Sequence, residues 1–128
     1  EVGSQATPFE HRSFGEELEL CSRYFQKISS NSNDAGHITN GLITGTRFYG
    51  VLNYNKQMRA APTVTATSGD FNVQSSAHSA SGFSIDEIHE PSISNARLRT
   101  GTSGSFTNGQ AAILRFGEAG SVSIDSEL

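Results

Sequence analysis

The hydrophobic period changes once along this chain, near residue 37, and that change constrains the fold more than any other feature of the sequence. Before it, SFGEELELCSRYFQKI (13–28) places apolar residues at Phe14, Leu18, Cys21, Phe25 and Ile28, in steps of four, three, four and three. That spacing repeats every three and a half residues and predicts a helix over residues 14–29 with one apolar seam. After it, apolar residues alternate with polar ones, the period of a half-buried strand. A chain built this way folds as one short helix followed by β-structure.

The helix carries its own start signal. Ser13 is placed to cap it, and Glu16 three residues later completes a capping box. Glu16, Glu17 and Glu19 fall near the positive N-terminal end of the helix, and Arg23 and Lys27 near its negative end. Glu19 and Arg23 are four apart in the favourable order. The run SSNSNDAG (29–36) ends the segment as a polar loop.

Period two then dominates. TRFYGVLNY (46–54) places Phe48, Gly50, Leu52 and Tyr54 on one face, and QMRAAPTVTAT (57–67) does the same with Met58, Ala60, Pro62, Val64 and Ala66. FNVQSSA (71–77) follows the turn SGD. GFSIDEIHE (82–90) alternates at Phe83 and Ile85 and then slips to Ile88, which predicts a bulge near Asp86 and Glu87. Residues 94–100, 110–116 and 121–125 complete the strands, and Asn40-Gly41 and Asn108-Gly109 read as tight turns. The expected fold is mainly β: an antiparallel, jelly-roll-like sandwich of seven or eight strands preceded by one short helix. The division is 1–36 for an extended lead-in, helix and linker, and 37–128 for a β-sandwich head.

Composition narrows the function classes. The chain has 128 residues, a net charge of −4 and nine Lys and Arg that form no cluster, so phosphate-backbone binding has nothing to work with. No apolar run approaches the ~20 residues of a membrane-spanning helix. The single Cys21 makes no internal disulfide, and no Cys/His pattern suggests zinc. With 17% charged residues and abundant Ser, Thr, Asn and Gly, the profile is exposed β-structure with many turns, not a disordered tail. The chain starts at Glu1, not Met, and is expected to be a piece of a longer polypeptide.

Leu20 and Tyr24 flank the seam and widen its apolar arc to roughly 160° at about 100° per residue. Such a width suits a helix touching both sister helices and its own β-domain, and two heptads alone are too few to hold an assembly. A helix packed only on its own sheet, with Cys21 as a small core residue, is the competing reading. The segment EVGSQATPFEHRSFGEELELCSRYFQKI (1–28) closely resembles one found near the C-termini of bacteriophage tail-fibre and related tail proteins. In that family a stretch like EVG-ATPFE-R closes a carbohydrate-binding-like module, and one like GEEL-LCQRYF begins the terminal domain. MRAAPTVT (58–65) resembles the family's early strand, and the ending IDSEL its usual DAEL, with Ser22 and Ser126 as departures. Residues 66–120 carry no matching motif. The resemblance implies a terminal head domain of a homotrimeric host-recognition protein in the virion tail, extracellular, whose partners are the upstream part of the same protein and a host surface glycan or protein.

Candidate chemistry is sparse. In DEIHE (86–90), Asp86 and Glu90 share one strand face while His89 points the other way, which argues against a three-ligand cation site and for a solvated strand end. His11, His37 and His78 are scattered in polar surroundings and read as surface residues. No G-x-S-x-G, GxGxxG or P-loop is present. A glycan-cleaving carboxylate pair assembled from Asp70, Asp86 or Glu87 has no support from spacing. No catalytic residue, metal ligand or cofactor is expected, and the chain reads as a non-enzyme.

A neutral glycan is held by an aromatic face plus planar polar groups. Two turns offer that combination: Asn53, Tyr54 and Asn55, and Asp70, Phe71 and Asn72. Because residues 57–67 join them, a simple hairpin arrangement places them at opposite ends of the sandwich. Phe71 alternates with Val73 and reads as core, whereas the Tyr54 phenol needs a polar partner or water. The competing function is a structural trimerisation or capping module with no ligand of its own.

Overall fold

The computed structural model describes residues 13–30, 36–101, 106–117 and 119–126. The N-terminal stretch 1–12, which carries the EVG-ATPFE part of the resemblance and His11, lies outside the described residues. Among the described residues one helix, α1 (Phe14–Cys21), precedes ten strands: β1 (Phe25–Ser29), β2 (His37–Thr44), β3 (Arg47–Asn53), β4 (Thr63–Ala66), β5 (Phe71–Ser75), β6 (Ser79–Phe83), β7 (Ile85–His89), β8 (Asn95–Thr100), β9 (Ala111–Phe116) and β10 (Ser121–Asp125). All pairings are antiparallel, in a three-stranded sheet of order β1-β10-β4 and a seven-stranded sheet of order β6-β5-β9-β2-β3-β8-β7. The fold is mainly β and sandwich-like, with curled sheets, as the periodicity predicts, but it has ten strands among the described residues where seven or eight were expected, β1 being one that the sequence assigned to the helix.

The curl follows from one connection. β6 and β7 are the two edges of the seven-stranded sheet, yet only Ser84 separates Phe83 from Ile85. At about 3.8 Å per residue the edges come within roughly 8 Å of each other there. Ser84 fixes the corner: its hydroxyl bonds the Ser68 hydroxyl and accepts from the Gly69 amide (both 2.9 Å), while its carbonyl accepts from the Gly101 amide (3.1 Å). The three-stranded sheet covers the opening. Val64, Val122 and Ile124 from it share one core with Ile43, Phe48, Leu52, Phe71, Leu98, Leu114 and Phe116. Each such side chain taken out of water contributes on the order of 1.5–3 kcal/mol.

The helix begins as expected and ends early. Ser13 and Glu16 form the capping box: the Glu16 amide donates to Ser13 Oγ (3.3 Å) and the Ser13 amide to Glu16 Oε2 (2.9 Å). Yet α1 stops at Cys21 instead of residue 29, with Ser22 as its C-cap, donating its hydroxyl to the Glu19 carbonyl (2.7 Å). Residues 25–29 are strand, paired with β10 in register from Phe25↔Asp125 to Ser29↔Ser121. Tertiary pairing overrides the helical spacing because Gln26 is needed inside. It is buried, and its amide donates to the carbonyls of Ser22 (3.0 Å) and Lys56 (2.7 Å) while accepting from the Asn55 amide (3.0 Å). Arg23 and Lys27 therefore lie beyond the helix, and Glu19 pairs with Lys56 (2.5 Å), not Arg23.

Asn40-Gly41 is not a turn. It lies inside β2, and the reversal comes at Gly45, where φ is +64°. Gly41 pairs with Gly50, and the Phe48 ring covers both: a Cβ at Gly41 would stand 2.7 Å from that ring and 2.0 Å from the Tyr49 carbonyl oxygen. Glycine marks a close approach here, not a chain reversal. Asn108-Gly109 does turn, with φ +84° at Gly109. The bulge foreseen near Asp86 and Glu87 is present, as a register shift between Ile85 and Glu87. Met58 and Pro62 are buried as their alternation predicts, although 57–62 is not strand.

Candidate functional site

The two turns singled out by sequence are not equivalent surfaces. β4 pairs neither with β3 nor with β5, so the hairpin that would separate them does not form. Gln26 binds the backbone of the 53–57 turn, and Tyr54 donates its amide to the Ser94 carbonyl (2.9 Å). The Tyr54 ring packs against the core, and its phenol oxygen is enclosed with no hydrogen-bond partner among the described residues. Burial raises its pKa above the ordinary 10.0. Phe71 is fully buried, 5.8 Å between ring centroids from Phe116, and offers no face to a ligand. The Asp70 carbonyl accepts from the Gly117 amide (2.6 Å).

Asn72 has a different setting. It lies opposite Arg115 on β9, which lies opposite His37 on β2. The next outward-facing row is Gln74, Ile113 and Asn40, and the next pairs Ala111 with Leu42. Together they make the outer face of the seven-stranded sheet over β5, β9 and β2. Two polar clips stiffen it: Arg115 Nη1 donates to Gln74 Oε1 (2.8 Å), and His37 Nε2 bonds Asn40 Oδ1 (3.0 Å). Each clip uses the amide oxygen and leaves the Gln74 and Asn40 NH2 groups as donors. With Ala111 small, a hollow of about 350 Å³ opens between Asn40, Gln74, Ser76, Ala111 and Ile113.

The apolar floor continues sideways. Leu42 (48% exposed) lies opposite Tyr49, and Val51 (47% exposed) lies opposite Arg97. Sequence reasoning followed the inward face of β3 and passed over Tyr49 and Val51 on the other. The same period of two places them outside, so the signal was present. The hollow itself needs the β5-β9-β2 order, which no local pattern encodes.

The DEIHE segment forms an ion network, not a ligand set. Asp86 accepts from Arg47 Nη1 (2.6 Å) and Arg99 Nε (3.5 Å), and Glu87 contacts both Arg99 and His89. The bulge at Asp86 turns these carboxylates toward the arginines of β3 and β8. Glu90 has φ +49° at the strand end. Among the described residues no three His, Cys, Asp or Glu converge as a metal site.

The seam residues separate. Phe14 (83% exposed), Leu18 (58% exposed) and Cys21 share one side of α1, which buries no residue of its own, so the helix does not pack on its own sheet. Phe25 is exposed and Ile28 half-buried on the core, both from β1. One continuous five-residue helical stripe does not exist, because the last two members belong to a strand.

Fold and surface together define an antiparallel β-domain with a weakly charged hollow on the outer face of its larger sheet and an amphipathic helix that none of the described residues covers. Comparisons with protein-family models, with curated proteins and with solved structures give no match.

Proposed function

We propose that this chain is the terminal head domain of a trimeric bacteriophage tail fibre, an extracellular virion component that binds a host cell-surface glycan. The resemblance in residues 1–28 and 58–65 motivates the reading, and the outer-face hollow is the observation that carries it. A sugar's C–H face rests on Ile113 and Ala111 while its hydroxyls accept from the free NH2 groups of Asn40 and Gln74, with Asn72 and Arg115 at the margin. No catalytic group is required. A glycan array tests it: the chain should select a small set of neutral glycans, and Ile113→Asp should abolish that selection with the melting temperature nearly unchanged. Uniformly blank arrays, or retained binding in Ile113→Asp, rule the hollow out.

A second reading has its own support. Phe14 and Leu18 expose apolar surface on a capped helix that nothing among the described residues covers, which favours a trimerisation or capping module whose ligand is held by the upstream part of the same protein. Light scattering giving a trimer together with a blank array selects it.

A further inference from the structure

A second concave site, with no lining residue in common with the first, lies where α1 ends. Leu20, Arg23, Tyr24 and Arg59 enclose about 170 Å³. Its two arginines come from distant segments and are locked together by backbone: the Arg59 amide donates to the Arg23 carbonyl (2.8 Å). Ser126 secures the same turn from the far end of the chain. Its hydroxyl donates to the Arg23 carbonyl (3.0 Å) and its amide to the Tyr24 carbonyl (2.8 Å). The Arg59 guanidinium carbon sits 5.3 Å from the centroid of the Tyr24 ring. That contact holds the cation over the ring face and leaves its in-plane N–H donors free.

Among the described residues, the charge on these two side chains meets no carboxylate. Arg47 and Arg99 are paired with Asp86 and Glu87, Lys56 with Glu19, and Arg115 with the Gln74 amide. Among the described residues neither Arg23 nor Arg59 has a carboxylate partner, in a chain with more acids than bases. Glu19, four residues before Arg23, is taken by Lys56. Two arginines lining one small hollow, with Leu20 as an apolar wall, match a planar carboxylate, which accepts forked N–H donors.

We propose that this hollow is a carboxylate-binding site, taking a small acid such as an acidic sugar unit, with Arg23 and Arg59 as the ligand-binding pair and Tyr24 as the residue that positions Arg59. The site is separate from the outer-face hollow and does not depend on the tail-fibre reading. Its ligand is anionic where the other's is neutral, so the two are distinguishable by charge alone.

Amide NMR titration of the whole chain with sodium glucuronate, against methyl glucoside and inorganic phosphate, tests it. Glucuronate should shift Leu20, Arg23, Tyr24 and Arg59 with millimolar affinity, weakening as NaCl is raised, while methyl glucoside leaves them in place. Arg59→Gln should weaken glucuronate about tenfold, and Arg59→Lys, which keeps charge but loses the fork, should restore only part of it. Unchanged circular dichroism for the lysine variant separates lost binding from lost fold. Absence of shifts at these residues, or equal shifts with methyl glucoside, overturns the proposal. Tighter binding of phosphate than of glucuronate, or shifts produced by raising protein concentration alone, overturns it too, in favour of a phosphate or a second copy.

Discussion

Gln26 holds both backbone groups of Lys56: its Nε2 donates to the Lys56 carbonyl at 2.7 Å, and its Oε1 accepts from the Lys56 amide at 3.4 Å. A buried side chain on β1 thus does for the 53–57 turn what a neighbouring strand would do. Removing it strands enclosed polar groups, each at a cost of about 1–3 kcal/mol. Gln26→Leu should lower stability by roughly 2 kcal/mol or more while the α1 capping box stays intact. Urea unfolding measures it, and a change below about 0.5 kcal/mol would mean that water replaces the amide without loss.

Phe48 and Gly50 make a second testable pair. A Cβ at Gly50 would lie 2.8 Å from the Phe48 ring and 2.9 Å from Thr39 Cγ2. Gly50→Ala should therefore cost roughly 1–3 kcal/mol, the range for overpacking a filled core. In a Phe48→Leu background, where the ring has gone, the same substitution should cost clearly less. A double-mutant cycle reads that coupling, and additive costs would show that the strain comes from Thr39 or from backbone instead.

What was legible in the sequence divides along one line. Alternation at Phe48, Leu52, Val64, Phe71, Leu98 and Leu114 reports which side of a strand faces the core, because side-chain period and burial are the same geometric fact. The Ser13–Glu16 box and the bulge near Asp86 are local in the same sense, and both are present. Three features were not legible. Phe25–Ser29 carries helical spacing, yet its partner is β10, nearly a hundred residues away. Asn40-Gly41 has turn chemistry, but the Phe48 ring needs that glycine inside a strand. Tyr54 and Asn72 look alike in sequence, whereas only Asn72 reaches the outer face, since strand order decides which residues share a surface.

The exposed side of α1 yields a prediction about assembly. Phe14 and Leu18 lie one turn apart, and none of the described residues covers them. If copies associate through this side, Leu18→Asp forces carboxylates into an apolar contact and should give monomers at low micromolar concentration. Cys21, on the same side, should then react slowly with thiol reagents in the assembled protein and fast in the Leu18→Asp variant. Light scattering and timed labelling check both. A variant that stays trimeric, with Cys21 equally reactive, removes α1 from the interface and leaves any association to the β-domain.

Tyr54 supplies the sharpest discrimination between a receptor contact and a core residue. Its phenol oxygen is enclosed and has no partner among the described residues, and burial lifts its pKa above 10.0, so folding favours the neutral phenol. The sign follows from linkage: the contribution to stability is full below about pH 10, and is lost as pH rises through the higher folded value, because the unfolded chain ionises first. Tyr54→Phe keeps the packed ring and deletes the unsatisfied atom. It should raise stability at neutral pH by about 1 kcal/mol, roughly 3–5 °C in melting temperature, and flatten the decline above pH 10. Tyr54→Ala should instead melt well below the parent, because the ring's apolar area is lost from the edge of the core. On a glycan array Tyr54→Phe should bind as the parent does, since the proposed hollow lies on the outer face around Ile113. Were Tyr54→Phe to lose binding at an unchanged melting temperature, the phenol would be a receptor contact and the site would move to the 53–57 turn.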